Sequence, residues 1–173
     1  MLSMADNMVA SHISEFPTGT YKKAHRHGSG AHLMVVGGVG FSLLWHEGEE
    51  RIKADWQKGS MYLSGGGGGG EWFHQHFNAG AEPARYLVMG AMGSRKFARN
   101  RGGAEEANLG EVRAMVSIKE GGIQVEYEDK DPEIHRIYEA ELAKHGAVCR
   151  MKNLIPTCTG EVGPTNVRGE LHV

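Results

Sequence analysis

Between Thr20 and Met89 the sequence is cut into short apolar or alternating runs by glycine-rich breaks. The runs are Tyr21–His27, His32–Val36, Phe41–His46, Arg51–Trp56, Ser60–Ser64, Trp72–Asn78 and Arg85–Met89. The breaks are Gly28-Ser29-Gly30, Gly37-Gly38, Glu47-Gly48, Lys58-Gly59, Gly65–Gly70 and Ala79–Pro83. Strand-length runs with turn signals at this spacing predict an all-β sandwich or barrel. A chain of 173 residues suits one such domain with a small appendage, and can bury a real core.

One segment outside this pattern reads as helix. Asp131 is placed to cap it, Pro132 takes the first helical position, and Gly146 stops it. Ile134, Ile137, Tyr138 and Leu142 fall on one stripe, which predicts a helix packed on the outside of the β-domain. The chain therefore divides into an entry segment without a clear period (1–18), the β-barrel (19–125), a C-terminal helical extension (126–155) and an irregular tail (156–173).

Charge and composition narrow the classes of partner. Nineteen Lys and Arg stand against 21 Asp and Glu, with no basic stripe or block, so neither nucleic acid nor an anionic membrane is an expected partner. The longest apolar stretch, near Leu33–Val36, is too short to cross a bilayer, and the N-terminal residues lack the charged and apolar regions of a secretory signal. Cys149 and Cys158 have no disulfide framework around them, so they are expected to be free thiols of a cytoplasmic protein. Neither belongs to a C-x-x-C pair, which argues against zinc held by thiolates.

Histidine carries the chemistry. Five of the ten histidines fall in two clusters, His25-Arg26-His27 with His32, and His74-Gln75-His76. Residues two apart on a strand share a face, so each pair aims two imidazoles at one spot. Two such strands facing one another can surround a metal ion, for which neutral imidazole is the commonest protein ligand. Trp72 shares the His74 and His76 face and is a candidate for contact with a substrate ring. Met34, on the His32 face, is a candidate pocket wall, and Arg85 a candidate for bidentate binding of a carboxylate. The other aromatic residues read as core or interface packing. His46, next to a turn, is expected to be exposed. The six glycines Gly65–Gly70 read as an inserted linker or a stand-in for unassigned side chains rather than as a flap.

The spacing of these residues is similar to a known pattern. Gly19-(x)5-His25-x-His27-(x)4-His32 resembles the first cupin motif, G-(x)5-H-x-H-(x)3–4-E-(x)6-G, and His74-(x)3-Asn78 resembles the end of the second, H-(x)3-N. The resemblance spans Gly19 to Leu87 and implies a single cupin β-barrel or jelly roll that holds one divalent metal. Carried over residue by residue, it makes His25, His27 and His74 ligands. The usual glutamate position holds His32, a fourth candidate ligand, and an all-imidazole set suits Fe(II), the favoured ion, as well as Mn, Ni, Cu or Zn. His76 lies two residues past the expected ligand, where it can replace His74, join it or act as an acid–base group.

The function this resemblance implies is a mononuclear metal-dependent enzyme. The foremost expectation is a non-haem iron dioxygenase acting on a small aromatic or dicarbonyl compound, with His76 moving the proton. A metal-dependent isomerase or lyase, and a non-catalytic small-molecule-binding module, are the alternatives, since fold does not give function. Cupin barrels commonly pair through their sheets, so a homodimer is expected, with Phe73 and Phe77 as candidate interface residues.

Overall fold

The computed structural model describes residues 2–3, 9–26, 31–64, 72–91 and 116–163. Ten strands form among them: β1 (Leu2–Ser3), β2 (Val9–Phe16), β3 (Ala24–Arg26), β4 (Ala31–Gly37), β5 (Val39–His46), β6 (Ile52–Gln57), β7 (Met61–Ser64), β8 (Trp72–Asn78), β9 (Ala84–Ala91) and β10 (Gln124–Val125). They make two five-stranded sheets, a first in the order β1-β2-β9-β4-β7 and a second in the order β10-β3-β8-β5-β6. Every strand ladder is antiparallel, and the chain changes sheet between β2 and β3, β3 and β4, β4 and β5, β6 and β7, β7 and β8, β8 and β9, and β9 and β10. Two antiparallel sheets crossed repeatedly in this way are a jelly roll.

One core lies between the sheets. Phe16, Leu33, Val35, Trp56, Ala84 and Tyr86 are buried together there. A second core lies on the outer face of the second sheet, under α1 (Pro132–Lys144) and the segment after it. Phe41, Leu43 and Phe77 come from the sheet, Ile134, Tyr138 and Leu142 from the helix, and Cys149, Met151, Ile155 and Cys158 from the arm beyond. Tyr138 also ties the helix to the sheet by donating to the carbonyl of Asn78 at 2.8 Å. The expected outside helix is thus present. Asp131 Oδ1 accepts from the Glu133 N–H at 2.9 Å, Pro132 opens the first turn, and Gly146 follows the end at φ +64°.

This helix corrects the expected interface. Phe77 is fully buried beneath it, and Phe73 is nearly so, stacked on Trp45 with the Arg26 guanidinium over its ring, so the chain itself covers both residues assigned to a partner. The entry segment also departs from expectation. Val9–Phe16 pairs with Ala84–Ala91 along its whole length.

Gly19 is needed where the arm returns to the barrel. It sits at φ +72°, a Cβ there would stand 2.3 Å from the Val148 carbonyl oxygen, and its own carbonyl accepts from the Arg150 N–H at 2.8 Å. Among the described residues no helix is long and apolar enough to cross a membrane.

Candidate metal centre

Strands β3 and β8 pair with His25 directly opposite His74, so the two rings rise from the same face of the second sheet, into the space between the sheets. Their Nε2 atoms are 3.1 Å apart, with ring centroids 4.4 Å apart and planes at 67°. His25 Nδ1 lies 3.2 Å from the Lys23 carbonyl oxygen. A carbonyl only accepts, so Nδ1 carries the proton of the neutral ring and Nε2 its lone pair. A backbone carbonyl behind an imidazole is the usual support for a metal ligand. Two nitrogens bound to one ion at about 2.0–2.1 Å stand about 2.9–3.4 Å apart for bond angles between 90° and tetrahedral. The His25–His74 separation falls in that range, so the pair fits one divalent ion.

His76 rises from the same face of β8 and is buried. Its Nδ1 is 2.8 Å from Ser42 Oγ and 3.3 Å from Tyr62 Oη, and those two oxygens are 3.0 Å apart. Trp56 Nε1–H donates to Ser42 Oγ at 3.0 Å, which fixes one end of the network. Burial pushes the Tyr62 phenol up to about 12, so it stays a donor across the neutral range. Phe16 and Tyr86 meet His76 edge-on, with centroids 6.4 Å and 5.6 Å away. The imidazole is thus anchored through Nδ1 inside an aromatic wall, with both neighbouring sheets contributing.

The remaining candidates are dispersed. His27 and Gly65–Gly70 lie outside the described residues. His32 is exposed on the outer face of the first sheet, because Leu33 and Val35 take the inward positions of β4. The structure does not bring it to the His25–His74 pair. Met34 shares that outer face, 40 % exposed, and is not a wall of the site. Arg85 is also exposed, on β9, where it pairs with Glu15 of β2 rather than reaching inward. Trp72 keeps the face of His74 and His76 and packs on His46, centroids 4.1 Å apart, at the end of the β5–β8 ladder. His46 is therefore half-buried on the site's own face rather than exposed.

Ser42 and Tyr62 were invisible as site residues in the sequence, being single positions without a motif, and Trp56 read there as core packing. Asn78, which closes the second motif, has a structural task. Its amide donates to the carbonyls of Phe16 at 3.1 Å and Glu82 at 2.8 Å, locking the turn between β8 and β9.

No protein-family model and no curated protein matches the chain. Solved structures do resemble it over about half its length. An oxalate decarboxylase aligns with 49% of this chain at 16% identity and TM-score 0.43. A cupin 2 conserved barrel domain protein from Rhodopseudomonas palustris aligns with 53% of it at 17% identity and TM-score 0.42. The capsular polysaccharide assembling protein CapF from Staphylococcus aureus aligns with 47% of it at 17% identity and TM-score 0.41. The aligned part is 22% of the oxalate decarboxylase chain, 57% of the Rhodopseudomonas chain and 24% of the CapF chain, so this chain spans only a fraction of the first and last. By its own strand order, the fold that sets His25 opposite His74 is a jelly roll.

Proposed function

We propose that the chain is a mononuclear metal-dependent enzyme acting on a small molecule, with Fe(II) as its ion and a dioxygenase-type reaction on a small aromatic or dicarbonyl compound. The observation that carries this reading is the facing pair of His25 and His74 Nε2 atoms, 3.1 Å apart between the sheets. His25 and His74 would hold the ion, with His27 from the same motif completing the set. Iron(II) so held would supply Lewis acidity and dioxygen chemistry. The protein's own contribution is positional. Ser42 and Tyr62 hold His76 through Nδ1, which orients its ring for proton transfer to or from a substrate oxygen. Phe16, Tyr62 and Tyr86 provide an apolar, π-rich wall that favours a planar substrate and excludes water.

The deciding experiment is metal content per chain after anaerobic purification, paired with oxygen uptake on catechols and diketones. One iron per chain that disappears in His25→Ala, with substrate-dependent oxygen consumption, supports the proposal. Manganese, nickel or zinc at the histidine pair with turnover under anaerobic conditions replaces the dioxygenase by an isomerase or lyase. A folded chain that takes up no metal at the pair even after reconstitution overturns the enzyme reading and leaves a binding module.

We further propose that a second copy of the chain covers the outer face of the first sheet. Ile13, Leu87, Met34 and Met61 form one cross-strand row over β2, β9, β4 and β7, and Val36 and Leu63 extend it. Ile13, Met34, Val36, Met61 and Leu63 are all exposed. This apolar row crosses four strands, with the Arg85–Glu15 ion pair beside it on the same face, and is self-complementary under a two-fold axis.

A further inference from the structure

Under the helix, away from the barrel histidines, lies a second group of metal-ligating side chains. His135 and Glu139 are four residues apart on α1 and so share one face. Cys149 and Cys158 come from the arm that folds back beneath it. One donor atom from each of the four residues lies within 4.8 Å of all the others. His135, Cys149 and Cys158 are buried and Glu139 is half-buried. We propose that these four residues form a closed structural site for a borderline-soft divalent cation, zinc by its ligand preference, independent of the barrel site.

Three observations carry it. The first is the pair of thiols, whose sulfurs are 3.0 Å apart, beyond the roughly 2.05 Å of a disulfide bond. The backbone holds them there. Glu161 N–H donates to the Cys149 carbonyl at 2.8 Å, and a Cβ on Gly160 would stand 2.1 Å from that same oxygen, so only glycine lets the two segments lie this close. The second is His135, only 3 % exposed, whose Nε2 has no hydrogen-bond partner and faces Glu139 Oε1 at 3.4 Å. Its Nδ1 is 3.0 Å from Tyr21 Oη, the support a ligating imidazole needs on its far side. The third is Glu139, fixed through Oε1 by the Thr159 N–H at 2.7 Å and the Thr159 hydroxyl at 2.9 Å. A disulfide would account for the sulfurs alone. It explains neither a buried imidazole nitrogen, Nε2, without a hydrogen bond nor a carboxylate drawn in beside it.

Two thiolates, one neutral imidazole and one carboxylate are the donor types of tetrahedral zinc. On binding, each thiol gives its proton to solvent and each sulfur gives an electron pair to the ion, leaving the site one negative charge. The absence of a C-x-x-C pair in the sequence is answered by the fold, which brings donors from two segments together.

Cobalt(II) titration of the full chain, after chelator treatment under reducing conditions, is the test. The expected result is a near-ultraviolet thiolate-to-cobalt charge-transfer band that saturates at one equivalent and is bleached by zinc. The barrel pair, having no sulfur, cannot give this band. Cys149→Ser/Cys158→Ser should abolish it, and His135→Gln should weaken cobalt binding by more than about tenfold. If the double variant does not fold, protection of both wild-type thiols from alkylation by one equivalent of zinc carries the same information. Two reduced thiols with no charge-transfer band and no protection would overturn the proposal. So would a Cys149–Cys158 disulfide in freshly isolated protein whose reduced form binds no cobalt.

Discussion

Single residues here act through what they hold. Ser42 accepts from Trp56 Nε1 and stands against His76 Nδ1 in a water-poor interior. Ser42→Ala strands the buried indole N–H, which costs about 1–3 kcal/mol. Urea denaturation should show a lower midpoint, and an unchanged one would mean that Trp56 finds another acceptor. The histidines separate in the same way. His74→Ala should empty the barrel site of iron, whereas His32→Ala and Arg85→Ala should leave iron per chain unaltered by mass spectrometry, since both side chains lie on the opposite face of the first sheet. Loss of iron in either of the latter would contradict that placement. The pairing of His25 with His74 was legible because the two motifs required it. The anchoring of His76 was not, because Ser42 and Tyr62 reach it from different strands and nothing local marks them.

At the scale of elements, helix α1 is stabilised where the sequence announces it. Asp131 is its N-cap, and the Glu133 N–H first and Arg51 second hold the carboxyl below the ordinary aspartate range. A carboxyl with a lowered folded pKa stabilises above its unfolded value, about 3.9, and that contribution is lost as pH falls through the folded value. Asp131→Ala should therefore lower stability by about 1 kcal/mol at neutral pH, with the gap from wild type narrowing in thermal melts below about pH 3.9. A gap independent of pH would show that the charge contributes nothing. Strands were less evenly legible. The run Trp72–Asn78 has the predicted bounds, and six other runs shift by a few residues at their ends. β2 escaped notice because its alternation is inverted, with Ser14 buried and Ile13 49 % exposed. β7 is inverted too, with Tyr62 and Ser64 inward and Met61 and Leu63 outward. Strand patterns assume an apolar inside and a polar outside, and a barrel with a polar site within and an apolar face without violates both.

The whole molecule is layered, with the apolar outer face, the first sheet, the second sheet and then the helix and arm. The expected consequence of the first layer is a dimer in sedimentation velocity. Met61→Glu/Leu63→Glu should convert it to a folded monomer with its barrel metal retained, and a monomeric wild type would refute the assignment of that face. The residues expected at a pairing surface, Phe73 and Phe77, are buried within the chain. Phe77 looks available in the sequence because Ile134, Tyr138 and Leu142, which cover it, come some sixty positions later, whereas Phe73 is covered by Trp45 and Arg26.

That separation has an effect on the protein's birth. The ribosome completes His25, His74 and all the strands of the first sheet by Ala91, while Ile134, Tyr138 and Met151, which shield the far side of the second sheet, are still untranslated. A nascent chain at that point carries its histidine pair but leaves Phe41, Leu43 and Phe77 uncovered, a greasy flank that a chaperone can recognise and that other nascent chains can stick to. The closing stretch is thus the step that makes the newborn chain safe to release.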